Sequence, residues 1–387
     1  MEVFHLEILL IASLVAVACA LPGVFLVLRK MALISDAISH SILLGVVIGF
    51  FISGNLNSPI NFIMASLTGV LTVFLVETVQ NTRLVKEDTA IGLVFPSIFS
   101  LGVILVAIYA NDIHLDIDAI LLGELAFAPL DRLYFNSSDL GPKSLWVVAA
   151  VAMVSVFLLV LFYKELMVST FDKALAASMG FSPVLLHYGL MTLSSVTCVV
   201  SFDAVGAVLV VALMITPAAS MYLVTDCLKK MLWGSALLGI FAANVGYFFA
   251  HFFDVSIAGS ITTFLGFCFF VIYLFAPQKG YFSILRKEKR QRIEVMLLTF
   301  LVHLQNHEEL SERHIKHLKD HINWQKVKSN AVLELAQKNN FIEFKNKDYI
   351  DLTSKGKAFT SAAIAFIIQN ERSAIEPLKQ NFFLFRG

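Results

Sequence analysis

The sequence predicts an α-helical polytopic membrane protein of about nine spans, followed by a small soluble domain. Three observations carry that expectation. Of 387 residues, 58% are apolar and 15% are charged, where soluble globular chains carry roughly a quarter. Nine stretches come close to the roughly 20 apolar residues needed to cross about 30 Å of hydrocarbon. The zero net charge conceals an asymmetry: residues 1–285 hold 11 basic and 17 acidic side chains, and residues 286–387 hold 18 and 12. A lipid-embedded body and a basic, water-soluble tail follow, and a soluble enzyme is excluded.

Seven stretches are free of charge: 8–28, 56–76, 90–110, 144–163, 204–225, 231–253 and 255–277. Two more are interrupted, 31–54 by Asp36 and His40, and 182–202 by His187. The first run has no preceding basic patch, so it is expected to stay as a span and not to be removed as a signal. Basic residues orient the chain. With the N-terminus outside, the inner loops hold Arg29, Lys30, Arg83, Lys86, Lys164, Lys173, Lys229 and Lys230, and the outer loops hold only Arg132 and Lys143. Nine spans then place the tail in the cytoplasm. The outer loops collect acids, and an acidic entrance concentrates cations. Residues 111–142 are too long for a turn, and 117–130 are apolar enough to re-enter the protein without crossing it. Cys19, Cys198, Cys227 and Cys268 are scattered, so neither a disulfide nor a thiolate metal site is expected.

The informative polar residues are those in lipid. Asp36 and His40 stand four apart, so both leave one helix face. His40 lies ten residues beyond Lys30, about 15 Å into the bilayer at 1.5 Å per residue. A carboxylate at such depth is costly unless paired or facing a wet cavity. With an imidazole one turn away, it suits a divalent transition metal such as manganese, iron or zinc. The alternative is a mutual contact that only fixes packing. Two side chains do not fill a coordination shell. Glu124, in the re-entrant segment, is the candidate third ligand, and His114, Asp116 and Asp118 could form a capture site at its outer edge. His187, alone on an apolar helix, is expected to be a packing residue. Gly45 and Gly49 give a GxxxG spacing that permits close helix approach.

Residues 171–180, Phe-Asp-Lys-Ala-Leu-Ala-Ala-Ser-Met-Gly, form a short alanine-rich helix on the inner side, of a kind that can enter a partner's groove. No GxxxxGK[ST] motif occurs. Any ATP hydrolysis therefore belongs to a separate chain.

Taken together, Ser35-Asp36-Ala37-Ile38-Ser39-His40-Ser41, Leu121-Leu122-Gly123-Glu124 and the run from Val205-Gly206-Ala207 to Thr216-Pro217-Ala218-Ala219 resemble the permease subunits of bacterial ABC importers for manganese, zinc and iron. The resemblance covers roughly residues 5–280. It implies a multi-pass protein of the cytoplasmic membrane, working as a homodimer or beside a homologous permease. A cytoplasmic ATPase pair and an extracytoplasmic metal-binding protein would complete the importer. No cofactor would be held permanently: the metal ion is cargo, and ATP is used by the partner. The residues matching Asp36 and His40 line the translocation site in that family. Asp172, Ala174 and Gly180 match the helix that engages the ATPase. The segment around Glu124 is nearest the manganese and iron branch.

Three domains are expected: a transmembrane permease over 1–280, a basic linker over 281–292 and a cytoplasmic winged-helix domain over 293–387. In the tail, helices are expected over 293–305, 308–321 and 324–338, then a hairpin of 341–344 with 348–352, then a last helix from Thr353. This order is that of a winged helix-turn-helix. With Leu352-Thr353-Ser354-Lys355-Gly356 after the wing, it resembles the metal-dependent repressors of the diphtheria-toxin-repressor type. Those repressors have a histidine where Asn370-Glu371-Arg372 stands here. The domain is read as a regulatory or dimerisation module near the ATPases. DNA contact through Lys326 and Lys328 is the alternative. The remaining rival for the whole chain is a permease for a metal chelate.

Overall fold

The computed structural model describes residues 2–55, 58–109, 125–135, 138–306, 326–346 and 349–367. The chain divides into two units, Met1–Gly280 and Tyr281–Gly387.

The first unit is helical. Its elements are α1 (Glu2–Leu28), α2 (Leu33–Ser53), α3 (Pro59–Asn81), α4 (Glu87–Tyr109), a hairpin of β1 (Arg132–Phe135) and β2 (Ser138–Pro142), α5 (Lys143–Leu161), α6 (Tyr163–Phe171), α7 (Lys173–Ser178), α8 (Pro183–Val205), α9 (Ala207–Val224), α10 (Leu228–Phe253) and α11 (Ile257–Phe275). Among the described residues, nine of these helices are long and apolar enough to cross a membrane: α1 to α5 and α8 to α11. They match the nine expected stretches to within six residues at each end.

Helix starts follow local chemistry. Ser58 accepts from the Ile60 amide ahead of Pro59, and Ser182 accepts from the Leu185 amide ahead of Pro183. Each pairs an N-cap with a first-turn proline. Gly206, at φ 83°, separates α8 from α9.

The core surrounds α1, where Ile11, Ala12, Val15, Ala16 and Cys19 are sealed from solvent. Small residues bring backbones together elsewhere. A Cβ on Gly45 would stand 2.5 Å from the Ala65 Cα, and one on Gly49 would stand 2.7 Å from the Asn61 Cα. The GxxxG spacing therefore serves the α2–α3 contact. One Cβ on Gly69 would meet Ser195 Oγ of α8 at 2.1 Å.

Most of the expected re-entrant segment, including His114, Asp116, Asp118 and Glu124, lies outside the described residues. Its end, 128–130, is a short 3-10 turn with Pro129 buried. The hairpin after it was not expected from sequence. Arg132 ties it down, reaching Glu7 Oε1 of α1 at 2.7 Å and Asp139 Oδ2 at 2.9 Å.

The second unit holds α12 (Tyr281–Asn306), α13 (Lys326–Lys338), an antiparallel pair of β3 (Ile342–Asn346) with β4 (Tyr349–Leu352), and α14 (Ser354–Ile367). Its core gathers Leu297, Phe300, Leu301 and Leu304 of α12, Val332 and Ala336 of α13, and Phe341, Ile350, Leu352 and Phe359. The Phe341 and Phe359 rings stack with centroids 4.7 Å apart. Gly356 is required where it stands, because a Cβ would lie 2.1 Å from the Phe341 carbonyl oxygen.

Residues 281–292, expected as a linker, are instead the first turns of α12. Their charge density hides the helix from a reading of apolar runs, but charged residues at i,i+4 support one, as in Arg290 Nε to Glu294 Oε1 at 2.9 Å. The expected helix over 308–321 lies outside the described residues.

Candidate metal path and partner-docking patch

Asp36 falls in the first turn of α2 and His40 one turn later. His40 Nε2 stands 3.5 Å from Asp36 Oδ1, and the side chains keep 39% and 43% of their exposure. The distance is at the outer limit of a hydrogen bond, so neither group is used up by the other. The opposite face of α2 is closed: Ile34, Ser35, Ile38 and Ser39 are buried. The hydroxyls of Ser35, Ser39 and Ser41 donate to carbonyls of their own helix, at 2.8 to 2.9 Å. From α4, Phe95 stacks on the His40 imidazole at 5.8 Å and Phe99 meets it edge-on at 6.3 Å. Two aromatic rings hold the imidazole's orientation and leave its nitrogens available. Among the described residues no three His, Cys, Asp or Glu side chains gather as a metal site. Asp36 and His40 are the candidate ligands among the described residues here, and the other candidates at 114–124 lie outside them.

On the face that carries Arg29 and Lys30, Asp172 caps α7, accepting from the Ala174 and Leu175 amides at 2.9 Å each. Gly180 ends the patch at φ 88°, with its amide on the Ala177 carbonyl and that of Phe181 on Ala176. Ala176 is buried, and Phe171, Leu175, Met179, Val184 and Leu185 are exposed around it. A capped, rigid turn edged by apolar side chains is suited to docking.

His187 is buried, as expected of a packing residue, but it is not alone. Its Nδ1 accepts from Arg29 at 3.1 Å, and its Nε2 lies 2.5 Å from Glu77 Oε1, off the line of an ideal hydrogen bond. Tyr188 donates to the other Glu77 oxygen at 2.6 Å. Sequence reading missed Glu77 because its partners stand more than a hundred residues away. At the opposite end of the unit, the His5 Nδ1 and the Tyr247 hydroxyl share a hydrogen bond. His5, Tyr247, His251 and Asp254 line a cavity of about 700 Å³ there. Lys326 and Lys328 fall in the first turn of α13.

Nine apolar helices, a carboxylate–imidazole pair within one of them and an exposed capped helix on the basic face describe a multi-pass membrane protein. The comparisons with known proteins agree. Residues 1–276 match the family model described as the ABC 3 transport family, and the chain belongs to that family. It is a translocation subunit and not an enzyme. It is 45% identical to the zinc transport system membrane protein TroD of Treponema pallidum (strain Nichols) over 363 residues, covering 93% of this chain and 98% of that one. An alignment that long enters the second unit. The manganese transport system membrane protein MntD of Bacillus subtilis (strain 168) is also 45% identical, over 277 residues, 72% of this chain and 94% of that one. Among solved structures, PsaBC from Streptococcus pneumoniae in complex with Fab aligns with a TM-score of 0.60 and 30% identity, over 73% of this chain and 95% of that one.

Proposed function

We propose that this chain forms the membrane path of an ATP-driven importer for a divalent transition metal, manganese, iron or zinc. The single observation that carries the reading is Asp36 beside His40, half exposed in an otherwise apolar span. A hard carboxylate oxygen and a borderline imidazole accommodate each of these ions, and relatives named for zinc and for manganese transport support the class. One copy supplies two ligands. A second copy, or a homologous permease, across a two-fold axis would supply two more. Glu124 is the candidate for a further ligand, and His114, Asp116 and Asp118 for capture at the outer mouth. A sparse ligand set suits an importer, which must release what it binds. A permease for a metal chelate would need no such pair.

The docking patch, Asp172 to Gly180, meets a separate pair of ATPase chains, and an extracytoplasmic metal-binding protein delivers the ion on the other side. The second unit is a cytoplasmic winged helix. Its described helices and hairpin follow one another in the order expected, and we infer a regulatory or dimerisation role near the ATPases. DNA contact through Lys326 and Lys328 is the alternative. A gel shift with the full chain that is lost on Lys326→Ala and Lys328→Ala would favour it.

Uptake of radiolabelled manganese, iron and zinc by the reconstituted complex tests the main reading. Asp36→Ala and His40→Ala should each abolish uptake while the protein stays inserted and bound to its ATPase. Undiminished uptake would remove both residues from the path.

A further inference from the structure

We propose that Arg29, His187, Glu77 and Tyr188 form a polar clamp that passes motion of the docking patch to the helix carrying Asp36 and His40, acting as positioning residues for transport. The inference rests on the function proposed above.

Arg29 reads in sequence as a basic anchor at the membrane surface, yet its guanidinium turns into the protein. It donates to Ser169 Oγ at 2.9 Å and Thr170 Oγ1 at 3.1 Å, both on α6, and to His187 Nδ1 on α8 at 3.1 Å. With Nδ1 accepting, the neutral ring carries its proton on Nε2, the atom that faces Glu77. Glu77, near the end of α3, also accepts from Tyr188. One cation and one anion, bridged by neutral groups, thus join α1, α3, α6 and α8. Such a half-buried charge pair is weak evidence for stability, and its members fix geometry.

Both ends of the clamp lead to the elements that the proposed function requires to move. Ser169 and Thr170 precede Asp172, the cap of the docking helix, by three and two residues. Arg29 closes α1, and the next helix starts at Leu33 with Asp36 in its first turn. The link between them is tight: the Met31 amide bonds Leu26 and the Ile34 amide bonds Met31. Glu77 reaches the same helix by a second route, because α3 and α2 meet backbone to backbone at Gly45 and Ala65. A displacement of the patch is therefore transmitted to the Asp36–His40 turn through directional contacts on two sides. The test reads the coupling itself.

The experiment uses the complete permease–ATPase complex in proteoliposomes, measuring uptake of manganese and zinc and ATP hydrolysis in the same sample. Arg29→Gln and Glu77→Gln should leave assembly and equilibrium metal binding unchanged and hydrolysis within about twofold, while ions moved per ATP fall at least tenfold. The double variant should be no worse than either single one. An unchanged ratio in an intact complex overturns the clamp. Where Arg29→Gln fails to assemble, Tyr188→Phe carries the test, because it removes only the hydroxyl on Glu77. A ratio reduced severalfold supports the clamp, and an unchanged ratio overturns it. A wild-type complex that moves neither metal would overturn the proposed function instead.

Discussion

The His40 imidazole stacks on Phe95 with a tilt of 28° and 5.8 Å between centroids, while its Nε2 stands 3.5 Å from the Asp36 carboxylate. An imidazole held this way would need little reordering to take up an ion in the proposed path. Asp36→Asn and His40→Gln should each weaken binding of manganese or zinc to the purified permease at least a hundredfold, by equilibrium titration. The double variant should add little, since both act on one ion.

Close packing at Gly45 makes a stability prediction. Gly45→Leu forces heavy atoms into the Ala65 backbone, and overpacking of this kind costs about 1–3 kcal/mol. Thermal unfolding in detergent should show the loss. Gly92→Ala, with no neighbour within 4 Å of the added carbon, should leave the midpoint unchanged.

Cys227 reports the orientation. Its thiol is exposed just before α10, and the Lys230 and Lys229 amides and charges lower its pKa from the ordinary thiol value. A lowered pKa means more thiolate near neutral pH, hence faster alkylation there than at Cys268, with the buried Cys19 and Cys198 silent. A membrane-impermeant maleimide should label Cys227 in inside-out vesicles and not in intact cells. The reverse pattern would invert the topology read from the basic loops.

The core of the second unit predicts independent folding. Expressed alone, residues 281–387 should unfold cooperatively by circular dichroism. Phe359→Ala removes the ring stacked on Phe341 and should cost about 3–5 kcal/mol. That is a large part of the 5–15 kcal/mol typical of a small domain. Non-cooperative melting of the parent unit would refute the prediction.

What could be read from sequence depended on distance along the chain. The spans were legible because bilayer thickness imposes an uncharged length, and Asp36 with His40 because helical spacing puts them on one face. The short helix at 171–180 was legible from its alanine-rich run, and Asp172 as its cap was found only in the structure. Glu77 was not legible, because its meaning comes from His187 and Tyr188 on a distant helix. The first turns of α12 were misjudged because a solvated charged helix shows no apolar run. The hairpin at Arg132 gave no signal, since its strands are short and its anchor, Glu7, lies on α1.

The backbone contact between α2 and α3 bears on how the proposed passage would open. Helices that touch through glycine have little side-chain cushion between them, so a rearrangement of α2 would carry α3 with it. α2 is bracketed by two residues of positive φ, Lys30 at 63° and Gly54 at 67°. In the proposed importer, the side chains that meet the ion and the helix wall behind them would then shift together.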